Sequence, residues 1–327
     1  MIPNILFITE QGVKLTRQGY SLVAIKDGER ILIYPLEQLQ QLVVMGRIEI
    51  STALISALLV RGVDTVFLYQ DGRFKGRLQG PTSKNIEIRE AQFRQRQDPE
   101  RCLHVSKQLI YAKIKNTVHM LRQTRRGVWE EIRERVMTAL RSVEYCRDLH
   151  TLRGIEGSFA SLYFKYFPRL LNDAMDFKGR QKHPPPDPIN ILLSLGYTFL
   201  FNTLYGLVEA AGLDPYAGFF HQSRHGHPAL VSDLVEPFRA PIVDQMVIAL
   251  INNQIIKRDH FYQEENRWHI HTEALREFAV KYQKRLFATR KVKTVQLSTL
   301  GILQRTVWQF QKYVKGEQND FQPFLFR

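Results

Sequence analysis

The stretch Gly80-Pro81-Thr82-Ser83-Lys84-Asn85 decides how the chain divides, because the hydrophobic period changes across it. Before it come short runs dense in Ile, Val, Leu, Phe and Tyr: PNILFIT, YSLVAI, RILIYP, QLVVM and DTVFLYQ. Turn signals at Gln11-Gly12, Asp27-Gly28 and Asp71-Gly72 separate them, so this part reads as β-rich. One helix interrupts the strands, opening at Ser51 as N-cap and running through TALISALLV to Gly62. After Asn85 the spacing is helical almost throughout. Helices are expected over 87–96, from 99 onward with Asp98 as cap, and over 128–149, 154–166, 188–211, 230–254, 272–287 and 294–314. HPPPDP, residues 183–188, reads as a rigid extended connector. The fold class is therefore α+β. A small β-rich N-terminal domain (1–80) and a linker (81–85) precede a larger all-α domain (86–327).

The 327 residues carry 46 Lys and Arg against 32 Asp and Glu, a net charge of +14. With 44% apolar residues this is no disordered basic tail, so the charge sits on a folded surface and a polyanion is the first partner to consider. Acidic lipid is the second. Two cysteines, Cys102 and Cys146, exclude a disulfide framework and a thiolate zinc ribbon. The first nine residues lack the basic start and cleavage site of a signal peptide, which points to the cytoplasm. Residues 188–208 carry no formal charge but contain Asn190, Ser194, Thr198, Asn202 and Thr203. They read as a helix buried in protein rather than a membrane span.

Residues 1–85 hold a net +3, and the rest holds +11. Residues 101–126 contain seven Lys or Arg and no acid. At 100° per residue Arg101, Lys107, Lys115, Arg122, Arg125 and Arg126 fall within about 120°, beside an apolar arc of Leu103, Ile110, Ile114, Val118 and Leu121. Such a helix, about 39 Å long, could track a nucleic-acid backbone with its basic stripe. A second acid-free stretch, 278–316, interleaves Lys281, Lys284, Arg285, Arg290 and Lys312 with Tyr282, Phe287, Trp308, Phe310 and Tyr313. Phosphate contacts of this kind position a protein without reading bases.

Ionisable groups crowd the middle of the helical part. Glu156, in RGIEGSFASLYF, stands at the expected start of an apolar helix, where an acid is ordinarily favoured by the helix dipole. GLDPYAGFFHQSRHGHPALVSDLVEPFR brings His221, His225 and His227 close to Asp233 and Glu236, which are three apart and share a helix face. One His with two or three carboxylates suits Mg²⁺ or Mn²⁺. Zinc is opposed by Gly226 and Pro228, which break the helix that a His221/His225 pair would need. A hard divalent cation beside a phosphate-tracking surface points to phosphodiester chemistry. No P-loop, dinucleotide fingerprint or nucleophile elbow is present to support ATP-driven, redox or serine-hydrolase readings.

The order of motifs, with R-G-I-E-G and a Tyr seven residues on, N-T-L-Y-G, G-F-F-H and D-L-V-E-P-F-R, resembles the CRISPR-associated integrase of spacer acquisition, the first-numbered protein family of those systems. The resemblance spans nearly the whole chain. It implies that Glu156, His221 and Glu236 are the metal ligands and that Asp233 supports the site. It also implies that Tyr205 lies near the reacting phosphate and that Tyr163 is a further tyrosine on the first ligand's helix. Some members carry Asp where Glu236 stands, which keeps the carboxylate. His225 and His227 have no ligand counterpart and are assigned to DNA contact or loop structure. DNA contacts are expected from Lys107, Lys115, Arg122, Tyr163, Arg224 and Arg239.

The implied reaction is attack by the 3′ hydroxyl of a captured DNA fragment on a phosphodiester of a CRISPR repeat. Nuclease activity follows when water is the nucleophile. The implied assembly is a homodimer paired through its β domains, with a small ferredoxin-like second adaptation protein and no membrane. Two alternatives share the fold: a non-catalytic DNA-binding scaffold, and a transposon-borne integrase that differs in its DNA.

Overall fold

Two four-stranded sheets form from the N-terminal runs of this computed structural model, which describes residues 4–80, 85–124, 126–181, 184–222, 224–265, 267–292 and 294–326. Most of the expected linker, Arg125 of the basic stripe and His183 of the connector lie outside the described residues. The N-terminal elements are β1 (Asn4–Ile8), β2 (Lys14–Gln18), β3 (Ser21–Lys26), β4 (Glu29–Pro35), β5 (Leu39–Met45), β6 (Glu49–Ile50), α1 (Thr52–Val60), β7 (Asp64–Leu68) and β8 (Phe74–Leu78). One sheet has the order β1-β5-β7-β8, parallel except for its last pair, and the other the order β4-β3-β2-β6. Ser51 caps α1 as expected, its hydroxyl accepting from the Leu54 amide.

The continuous apolar runs of β1 and β5 have a physical cause, since both faces of their sheet are covered. Leu6, Ile8, Leu42 and Val44 pack with Leu15, Leu22, Leu54 and Leu58 inside the β domain. The alternate residues Ile5, Val43, Met45, Val66 and Leu68 belong to the helical core. Phe7 continues this second face, with its ring 4.8 Å from that of Phe199.

The helical part comprises α2 (Ile86–Gln97), α3 (Pro99–Thr124), α4 (Val128–Tyr145), α5 (Leu149–Tyr166), α6 (Pro188–Ala210), α7 (Ala229–Val235) and α8 (Gln245–Asn252), then strands β9 (Phe261–Glu264) and β10 (Arg267–Ile270), α9 (Thr272–Phe287), strands β11 (Thr289–Val292) and β12 (Val295–Ser298), and α10 (Thr299–Val314). The α+β class holds, but the larger part also carries two small hairpins, β9/β10 and β11/β12. Their four-residue strands are too short to show a period in sequence. The second hairpin delays α10 to Thr299, where the Ser298 hydroxyl accepts from the Gly301 amide.

Three further helix boundaries differ from expectation. The helix expected over 128–149 ends at Tyr145, and a new one begins at Leu149 with Asp148 accepting from the Thr151 amide. Glu156 therefore lies inside α5 rather than at a helix start, and the helix dipole is not what holds it. The stretch expected as one helix over 230–254 is broken by a 3₁₀ turn, Glu236–Phe238, and a π turn, Arg239–Asp244. Pro237 and Pro241 cannot donate to the helical ladder, which changes pitch around them. Helix α6 is long and apolar enough to cross a membrane, but two-thirds of its most apolar window is buried inside the protein, as the sequence suggested. Helix α3 runs through the centre, packed against α2, α4, α5 and both irregular turns.

Candidate active site

Asp233, on α7, is fully buried, and its carboxylate gathers four donors. Oδ2 accepts from the Phe219 and Phe220 amides at 2.6 and 3.0 Å, and Oδ1 from the His221 amide at 2.9 Å. His221 Nδ1 lies 2.7 Å from the same Oδ1 and must donate to it, since a carboxylate only accepts. That fixes the imidazole orientation and leaves the Nε2 lone pair free to face outward. Gly218 makes the turn possible. A Cβ there would sit 2.7 Å from the Ala229 carbonyl carbon and 2.9 Å from Asp233 Oδ2. Arg153 of α5 donates twice to the Phe220 carbonyl, at 3.2 and 2.8 Å, tying the helix of Glu156 to the loop of His221.

Glu156 and Glu236 meet at a protein cation. Lys113 of α3 pairs its ammonium with Glu156 Oε1 and lies 2.7 Å from Glu236 Oε2. Asn116, one turn on, is buried and donates to the Pro237 carbonyl at 2.8 Å, which sets α3 against the turn carrying Glu236. The other Glu236 oxygen is 3.1 Å from Arg239 Nη2. Burial alone would raise the Glu236 pKa, but the Arg239 and Lys113 charges hold it down to about 2. Burial likewise opposes the charge on Lys113, and the two carboxylates hold its pKa above the ordinary lysine value.

A buried polar network lies behind this cluster. The Tyr163 and Tyr197 hydroxyls donate to the two oxygens of Asp244 at 2.8 and 2.6 Å, and the Arg239 guanidinium stacks 4.9 Å above the Tyr197 ring. Burial pushes both phenols well above their usual range and Asp244 above its own. A cleft of about 600 Å³, lined by Arg96, Cys102, Arg153, Phe219 and His221 among others, opens beside the imidazole.

The donors fit a hard divalent ion: two carboxylates, and an imidazole held by Nδ1, whose Nε2 has no hydrogen-bond partner among the described residues. Glu236 Oε2 is buried and, among the described residues, its one close partner is the Lys113 ammonium at 2.7 Å, so a cation already stands where a metal ion would be held. Among the described residues no three such donors yet converge on one point, because the Lys113 ammonium stands between the two carboxylates.

The structure thus brings Glu156, His221, Asp233 and Glu236 into one region and places several other expected residues elsewhere. Tyr205 is half-buried at the junction with the β domain, where Arg77 stacks 3.8 Å from its ring. Tyr163 is only 5% exposed, and its hydroxyl is turned to Asp244 rather than to the surface. Arg239 pairs with Glu236 and stacks on Tyr197, leaving its side chain 26% exposed. Lys107 donates to the Glu144 and Cys146 carbonyls at the end of α4, at 2.5 and 3.1 Å. Lys115, Arg122 and Arg224 remain exposed. His225 is exposed, whereas His227 faces the Ser232 hydroxyl at 3.2 Å and belongs to the loop. In the second acid-free stretch Tyr282, Phe310 and Tyr313 are core residues and Trp308 is half-exposed.

Sequence reasoning missed Lys113, Tyr197 and Asp244. Each carried a signal: an ionisable or phenolic group set in a run otherwise destined for the core, as in PIVDQMVIAL and SLGYTFL.

Fold and site define the class: a two-part α+β protein with a carboxylate and histidine centre set in a basic helical domain. The chain belongs to the CRISPR associated protein Cas1 family, whose model matches residues 6–284. It is 32% identical, over 99% of its length and 98% of the relative's, to a protein of Thermus thermophilus named CRISPR-associated endonuclease Cas1 3. Among solved structures it resembles a chain of a Cas6-RT-Cas1–Cas2 complex, with a TM-score of 0.86 at 24% identity, covering 98% of this chain and 36% of that one. A casposase bound to its integration product gives a TM-score of 0.85 at 20% identity, covering 97% and 92%.

Proposed function

We propose that this protein is a metal-dependent DNA endonuclease and integrase that joins the 3′ hydroxyl of a captured DNA fragment to a phosphodiester of a CRISPR repeat. The observation that carries this is the convergence of Glu156 and Glu236 on a single cationic position beside an imidazole that Asp233 holds by Nδ1. Glu156, Glu236 and His221 Nε2 would hold Mg²⁺ or Mn²⁺. When bound, the ion polarises the scissile phosphate and favours the attacking hydroxyl or water as its oxyanion.

The chain's own residues do the rest. Asp233 keeps His221 in one orientation, and Arg239 keeps Glu236 ionised and aimed. Lys115, Arg122 and Arg224 supply exposed charge for two DNA segments. Such a reaction needs positioning more than covalent help. The same reading includes a second adaptation protein as partner and action in the prokaryotic cytoplasm. Pairing of β domains into a homodimer is supported by the edge strand β4, which exposes Ile31 and Ile33 at 49% and 59%.

The test is a strand-transfer assay with a labelled 3′-hydroxyl fragment, a repeat-bearing plasmid, the partner protein and Mn²⁺. His221→Ala is expected to abolish joining and cutting while DNA binding persists. Undiminished activity in a folded variant overturns the assignment, activity that never requires a metal overturns the metal mechanism, and DNA binding with no joining or cutting by the wild type at any Mn²⁺ concentration returns the chain to a DNA-binding scaffold.

A further inference from the structure

Lys113 occupies the place where the two carboxylates of the proposed metal site meet, and its contacts there are unequal. Glu156 Oε1 takes a hydrogen bond from the ammonium. Glu236 Oε2 lies 2.7 Å from the same ammonium but off the direction of a well-aligned hydrogen bond. A spherical cation, which needs no donor direction, satisfies such an oxygen better than an ammonium does. Among the described lysines, Lys113 alone pairs with two carboxylates.

The rest of the site does not depend on it. Arg239 holds Glu236 Oε1 at 3.1 Å, and Asp233 holds the imidazole through Nδ1 at 2.7 Å. Two carboxylates facing each other in a mostly buried place would repel without a charge between them. A lysine on a flexible four-carbon stem supplies that charge and can also leave. Arginine held in a fork, as Arg239 is, could not leave so readily.

We propose that Lys113 is a placeholder cation, which keeps Glu156 and Glu236 together in the metal-free protein and is displaced from between them when a divalent ion binds. The freed ammonium stays tethered at the edge of the site, where a DNA phosphate can take it as a new partner. Lys113 is thus a positioning residue that weakens metal binding without DNA and lets DNA strengthen it, since coupling of two ligands runs both ways. The inference rests on Glu156, His221 and Glu236 being the metal ligands.

The experiment is a calorimetric titration of the full chain with Mn²⁺, without DNA, for wild type, Lys113→Met and Glu156→Gln. Lys113→Met removes the competing charge while keeping the length of the side chain, and its Mn²⁺ affinity is expected to rise by about tenfold or more. Glu156→Gln is expected to lose binding. Equal or weaker binding by Lys113→Met, while Glu156→Gln still loses it, overturns the placeholder and leaves the metal site standing. Equal binding by wild type and Glu156→Gln overturns both.

A second measurement uses wild type alone and so does not depend on whether the methionine variant folds. Acetylation of Lys113, followed by mass spectrometry, is expected to run several-fold faster with Mn²⁺ than with EDTA. An unchanged or slower rate overturns the proposal.

Discussion

Four donors converge on the Asp233 carboxylate, three backbone amides and the His221 ring, so one buried side chain fixes both a loop and a tautomer. Asp233→Asn is nearly isosteric but replaces one acceptor oxygen with an NH₂ that cannot accept. Either the Phe219 and Phe220 amides or the His221 amide and ring then lose their acceptor, and a ring no longer held by Nδ1 can turn its nitrogen away from the site. Mn²⁺ affinity is expected to fall about 10- to 100-fold, as it does when the hydrogen-bond partner of a ligating histidine is removed. Calorimetry measures this, and unchanged affinity would mean that something else orients the ring. Gly218→Ala disturbs the same turn from the backbone side, because its Cβ would meet the Ala229 carbonyl carbon, which cannot rotate away. A loss of roughly 1–3 kcal/mol of stability is expected, read by denaturant melts, together with weaker Mn²⁺ binding.

Helix α3 shows where a periodicity argument holds and where it stops. The arc of basic residues was legible, and Lys115 and Arg122 on it are exposed. Lys107 lies on the same arc, yet α4 ends beside it and its ammonium serves two free carbonyls there. A helical wheel says which residues share a side and nothing about what another helix brings to that side. Lys113 falls opposite the centre of the basic arc, where the wheel alone reads it as an intrusion into the apolar face. Only the packing of α5 and of the turn after α7 shows the two carboxylates it meets.

Two variants separate these roles. Lys115→Glu with Arg122→Glu is expected to weaken DNA binding with little sequence preference and to flatten its salt dependence by about 0.9 in slope for each phosphate left without its cation. Lys107→Met is expected to leave that slope alone and to cost about 0.3–1 kcal/mol in thermal unfolding. A slope that changes for Lys107 and not for the pair would reverse the assignment.

At the scale of the whole molecule, one face of the β1-β5-β7-β8 sheet joins the helical core while the other packs inside the β domain, and a polar knot tightens the junction. Arg77 on β8 reaches across to α6, donating to Asn202 Oδ1 at 2.8 Å, stacking on Tyr205, and lying 3.4 Å from Asp64 and 3.9 Å from Glu209. Gln41 on β5 closes the knot by donating to Asp64 Oδ2 at 2.6 Å and to the Asn202 carbonyl at 3.0 Å. The N-T-L-Y-G motif, expected near the reacting phosphate, is therefore also where the two parts of the chain are joined. Sequence could single the motif out but could not say what faced it, because Arg77 and Asn202 are 125 positions apart.

The knot sets Arg77 between two carboxylates, and Asp64 has the nearer share of it. Burial, with the Asp64 charge adding to it, pushes Glu209 from an ordinary 4.5 up to about 7, against the pull of Arg77 and Arg89. The sign of the consequence follows from linkage. Below pH 4.5 the carboxyl is protonated whether the chain is folded or not, and nothing is lost. Between 4.5 and about 7 the unfolded chain releases the proton while the folded one keeps it, so stability falls as pH rises, and above about 7 the loss is complete. Its ceiling is about 3 kcal/mol. Glu209→Gln cannot ionise and escapes this loss. The variant should melt close to wild type at pH 4.5 and a few degrees above it at pH 8, by calorimetry at both values. A variant that melts lower at pH 8 would show that the ionised Glu209 is held by Arg77 strongly enough to outweigh its burial, and that the junction tightens rather than loosens as the carboxylate forms.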